Sequence, residues 1–240
     1  MSEIVNASQT QDGRRAATAV SVATTRLLWC GIAASPLWLL IVLAQMLFRS
    51  GFDIRRQAIS LLLLGEYGWI QALNYVVVGL LIVAGAIGLW RAMHPGRAGT
   101  WGPALMAVFG LALIAAAFFV PDAADGFPPG APETNVPFST HGALHALFSS
   151  VSFLAFAIAA ASVLPRRFLH FRQLGWAIYS IGSAACFLAT WVALFATAWS
   201  NQVVNVAFAV GILIAWLWMG VIPARVLAGA RRDEGLSASA

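Results

Sequence analysis

Residues 121–152 read PDAADGFPPGAPETNVPFSTHGALHALFSSVS. The first part holds three acids, Asp122, Asp125 and Glu133, five prolines and no basic residue. The second part is apolar and carries His141, His145, Ser149 and Ser152, which fall on one stripe of a helix. Such a stretch is a polar connection that feeds a helix. It is the longest internal interruption of a chain whose apolar residues otherwise come in runs of about twenty.

Working outward, composition agrees. The chain is 60% hydrophobic and 10% charged over 240 residues. A soluble domain is charged at about a quarter of its positions. Runs of about twenty apolar residues cross roughly 30 Å of hydrocarbon at 1.5 Å per residue. The expected fold class is therefore all-α, a polytopic membrane protein built as a six-helix bundle. The spans read as 27–48, 70–90, 102–120, 141–164, 174–198 and 203–224. Residues 1–25 read as a disordered tail, 26–225 as the transmembrane domain and 226–240 as a second tail. Arg14 and Arg15 resemble the start of a signal peptide, but no apolar core follows before Arg26, so the first span is expected to be retained.

The net charge of +5 is no nucleic-acid signal, because every basic residue is an Arg in a connection or tail. With the N-terminus inside, the inner segments hold 11 Arg and the outer ones 3, namely Arg49, Arg55 and Arg56. Excess Arg marks the cytoplasmic side, so both termini are expected there, in a prokaryotic inner membrane. Cys30 and Cys186 stand at depths that differ by about 12 Å, too far for a disulfide.

The first outer connection, 50–69, opens with Asp53 and continues through Ile54, Ala58, Ile59, Leu61 and Leu62 to Gly65. Too short to span, it reads as a helix lying in the interface, with Tyr67 and Trp69 as belt residues. Gly79, Gly85 and Gly88, and Gly175, Gly182 and Ser183, read as sites of close helix approach.

Polar side chains inside a bundle are costly, so their placement is informative. They gather at the outer ends: Gln45 and Arg49, Gln71 and Asn74, then the His141 to Ser152 stripe. This asymmetry predicts an outward-facing polar pocket lined by Asp122, Asp125, His141, His145, Ser149, Arg49, Arg56, Gln71 and Asn74. Arg49 or Arg56 would balance Asp122. The pocket would take a lipid or other small molecule. Two further readings stay open. His141 and His145 present two nitrogens as a zinc site requires, with Asp122 or Asp125 as a third ligand, but HGALH lacks the built-in base of HExxH. A bis-His haem is not expected, because no other span carries a His at that end. Alternatively, Ser60, Ser139 or Ser149 beside a histidine could act as a hydrolytic nucleophile on an outer-leaflet substrate, without a GxSxG elbow. An accessory subunit or carrier is the remaining class. The absence of an internal repeat and of acids within the spans weighs against coupled transport.

The segments DIRRQAISLLLLGEYGWIQALNYVVVGLL, VPDAADGFPP and HGALHAL together resemble the membrane family catalogued as domain of unknown function 998. The resemblance implies a helical integral membrane protein and brings no activity, substrate or cofactor with it. The chain does not match the ceramidase-like membrane hydrolases, which use three His with an Asp and a Ser, because only two His fall at the outer end here.

The Arg count is testable. With native cysteines removed, a Cys at Glu133 should react with an impermeant reagent from outside the cell, and one at Arg167 should not. The opposite labelling pattern inverts the topology.

Overall fold

The computed structural model describes residues 21–134, 137–197 and 200–238, with side chains described as far as residue 232. Six helices follow in chain order: α1 Val22–Phe48, α2 Gly68–Met93, α3 Arg97–Phe118, α4 Thr140–His170, α5 Leu174–Ala196 and α6 Gln202–Ala238. Each is long and apolar enough to cross a membrane. The fold class is the one the hydropathy pattern implies.

The helix ends follow local chemistry. At α1, the Ser21 hydroxyl accepts from Thr24 N at 3.2 Å, so the helix starts within the segment expected as a tail. Residues 1–20 of that tail lie outside the described residues. At the other terminus α6 runs on to Ala238, through most of the second expected tail. Nothing after Pro223 interrupts its ladder, and the Ala, Arg and Leu residues that follow are good helix formers. Helix α4 passes Pro165 by way of a π turn, Ala159–Val163, in which Leu164 N reaches back to Ala159 O. The wider turn accommodates a residue that has no N–H of its own to give.

Packing is closest where backbones touch. A Cβ on Gly85 would stand 2.5 Å from Gly31 Cα, so α1 and α2 meet through bare backbone. Around Gly175 and Gly182 there is open space instead, so these two do not serve the close approach expected of them; they sit on the outer surface of α5. The core is aromatic. Trp38 of α1 stacks on Trp216 of α6, with centroids 4.4 Å apart and planes 11° from parallel, and Phe109 of α3 meets Trp216 edge-on. Helices α4 and α5 contact each other chiefly along residues 159–170, and their other halves draw apart.

The first connection differs from expectation. The helical piece there is a 3₁₀ turn of five residues, Ile59–Leu63, and Ile59, Leu61, Leu62 and Leu63 are buried. It is tucked into the bundle mouth rather than laid in the interface. Four consecutive apolar residues of which nearly all are buried cannot form the one-sided face that an interfacial helix needs. Tyr67 and Trp69 are exposed, as belt residues would be.

Replacing Gly85 with Leu should cost about 1–3 kcal/mol or more through overpacking against Gly31. Gly182→Ala should change stability by no more than about 0.5 kcal/mol. Thermal unfolding in detergent, followed by loss of monodisperse protein, separates the two.

Candidate functional site

The end of the bundle that carries the two long connections is closed by one cation. Arg49, just past α1, donates to Leu62 O at 3.1 Å and to Leu64 O at 2.5 Å. Its guanidinium also lies over the rings of Phe127 (5.2 Å) and Tyr67 (5.9 Å). Burial holds its pKa below the usual guanidinium range. Phe127 is fully buried and meets Phe52 edge-on. Gln57 donates to Asp125 O at 2.8 Å. The connection 119–139 is thus laid over the connection 49–67.

Beneath them is a cavity of about 240 Å³ to which every helix contributes. Its upper wall carries Ser60, Asp122, Asp125, His145, Ser149 and Ser150. Its lower wall is aromatic: Trp38, Tyr75, Phe109, Trp191, Phe208 and Trp216. Trp38 stands about 16 Å below Arg49 at 1.5 Å per residue, so the cavity ends near mid-membrane. Phe153, Trp191 and the exposed Phe195 line it on the side where α4 and α5 draw apart. A polar pocket was expected; this one is mainly apolar, with the carboxylates and His145 toward one end and Ser152 deeper, beside Phe109.

His145 is buried and held from one side. Its Nδ1 lies 2.7 Å from Phe119 O and 3.1 Å from Ala116 O. Carbonyls only accept, so Nδ1 carries the hydrogen and Nε2 of the neutral ring offers its lone pair. Ser149 Oγ lies 3.3 Å from Nε2 and is placed to donate. Ser152, further down the stripe, donates to Phe109 O and Phe148 O. His141 does not join them. It is exposed, does not line the cavity, and packs on the Phe119 ring. Among the described residues no group of three His, Cys, Asp or Glu is placed to hold a metal. The i, i+4 pairing put both histidines near one face; the Phe119 ring and the carbonyls at the end of α3 divide them.

The acids have separate tasks. Asp122 Oδ2 accepts from Ser139 N at 2.9 Å, while Ser139 Oγ accepts from Gly142 N at 3.1 Å. The N-terminus of α4 is therefore capped twice, once by a residue of the connection that follows α3. A Cβ on Gly142 would fall 1.9 Å from Asp122 Oδ2, so the cap needs glycine there. Asp125 takes a left-handed backbone, φ 54°, which a short polar side chain tolerates. Burial raises its pKa, and nearby Arg56 opposes that rise. Arg56 itself bonds Glu133 at 2.7 Å, and neither Arg49 nor Arg56 lines the cavity or pairs with Asp122. Both cations tie down connections.

Gln71 and Asn74 are buried beside the cavity rather than in it. Gln45 Nε2 donates to Gln71 Oε1 at 2.7 Å across α1 and α2, and Asn74 adds a longer contact at 3.4 Å. They act as interhelical polar contacts. The residues that sequence reasoning missed are the aromatic ones. Trp38, Phe109 and Trp216 carry no signal that separates a cavity wall from ordinary core.

A family model described as "Protein of unknown function (DUF998)" matches residues 32–224. No curated protein and no solved structure matches the chain.

The double cap can be tested by a mutant cycle. Asp122→Ala and Gly142→Ala should each cost about 0.5–2 kcal/mol. The double variant should cost little more than either alone, because both remove one interaction. Additive losses in thermal or denaturant unfolding would show that Asp122 does not act through this helix end.

Proposed function

The chain belongs to the DUF998 family, and we propose that this member binds a lipid or other small amphipathic molecule in the cavity beneath Arg49. The observation that carries the reading is the polarity gradient of that cavity, from two carboxylates and His145 at one end to stacked indoles at the other. Such a gradient matches a molecule with a polar head and an apolar tail. At about 240 Å³ the space is below the usual range for drug-sized ligands, roughly 300–1,000 Å³. That size suits a single-chain molecule. The separation of α4 from α5 beside Phe195 offers a way in from the bilayer. With both termini cytoplasmic on the Arg count, the polar end lies toward the outer face of the cell membrane, under the two connections.

Native mass spectrometry of protein purified in mild detergent tests this. A stoichiometric low-mass adduct is expected in wild type. It should be lost in Ser149→Trp, which fills the cavity. Protein without any adduct, or an adduct indifferent to that substitution, sinks the reading.

A second reading rests on the contact between Ser149 and His145. With Nδ1 committed to the Phe119 and Ala116 carbonyls, Nε2 can accept the Ser149 proton as Oγ attacks an acyl carbon. The carbonyls orient the imidazole, as a third group must in such a pair. No metal enters this scheme. It requires covalent labelling of Ser149 by a fluorophosphonate, with labelling abolished in His145→Gln. Unlabelled wild-type protein leaves His145 and Ser149 as binding groups only.

A further inference from the structure

We infer that the cavity selects an amphiphile whose head is positively charged, an ammonium or amine carried on a single apolar chain. This rests on the binding reading above and specifies its ligand. Among the residues that line the cavity, two are carboxylates, Asp122 and Asp125, and none is Arg or Lys. The three Arg of the nearest connection are committed elsewhere: Arg49 to the carbonyls of Leu62 and Leu64, Arg55 to Asp53, and Arg56 to Glu133. A phosphate or sulfate head would find no cation in the wall and two carboxylates beside it. Like charges in a partly desolvated site repel more strongly than in water.

A cation meets the opposite situation. Asp122 and Asp125 line the same end and bring negative charge, Ser60, Ser149 and Ser150 supply hydroxyl oxygens, and His145 Nε2 offers a lone pair. Phe138 lines the same end, where a ring face attracts an ammonium. Deeper down, the Trp38 and Trp216 rings form an apolar floor for the tail. A single chain lying along this floor would leave between α4 and α5.

The test uses the full-length protein in a nonionic amphipol and three probes with one brominated alkyl chain. The heads are trimethylammonium, maltoside and sulfate. Bromine quenching of tryptophan fluorescence reports occupancy beside Trp38 and Trp216. The ammonium probe should bind roughly tenfold or more tighter than the sulfate probe. In Asp122→Asn/Asp125→Asn that preference should fall to within about twofold. Asp53→Asn removes an equal charge outside the cavity and should leave it intact. Because Asp122 caps α4, Asp125→Asn alone serves if the double variant does not fold, and it should reduce the preference by about threefold. Equal or tighter binding of sulfate, or a preference that survives removal of the carboxylates, overturns the inference while the cavity remains a binding site. Absence of saturable quenching by all three probes removes the binding reading itself.

Discussion

The capping of the bundle centres on one half-buried guanidinium. In a membrane protein, non-helical backbone near the hydrocarbon survives only if its carbonyls find donors. The segment after α1 turns back under the surface as a 3₁₀ turn and leaves the carbonyls of Leu62 and Leu64 needing partners. Arg49 supplies both from a single planar fork. The same fork gives its faces to Phe127 and Tyr67, so one side chain joins the end of α1, the first connection and the third. Phe127 can then be fully buried in a connection that sequence reads as merely polar.

What lies beneath that lid follows from how the helices are held. Gly31 against Gly85 draws α1 and α2 together, and Gly79 against Gly110 does the same for α2 and α3. Among the described residues no equivalent backbone contact closes α4 on α5 at the lidded end, where Phe153 meets Trp191 edge-on instead. Tight packing on one side and separation on the other leave a space at mid-depth. Its lower half is shaped by the Trp38–Trp216 stack and its upper half by the last carbonyls of α3, which take the His145 hydrogen and turn the other ring nitrogen toward Ser149. The site is thus a product of two backbones, α3 giving acceptors and α4 giving side chains.

The chain alone determined the six spans, because a run of about twenty apolar residues has few other stable uses. It also placed hydroxyls at Ser139 and Thr140 where α4 begins, and Ser139 takes the cap, since hydroxyl side chains before a helix act within three residues. Such effects are local, and local spacing is what a sequence displays. Tertiary structure decided the rest. It separated His141 from His145 by setting Phe119 beside one and the α3 carbonyls around the other. It sent Arg49 to backbone oxygens and Arg56 to Glu133, seventy-seven residues away, where charge balance with Asp122 had been the simpler expectation. It buried Ile59–Leu63, turning an expected surface helix into part of the cavity wall. Above all, it made Trp38 and Trp216 neighbours. Aromatic residues in apolar spans look alike in sequence, and only the packing of distant helices decides which of them border a space and which fill one.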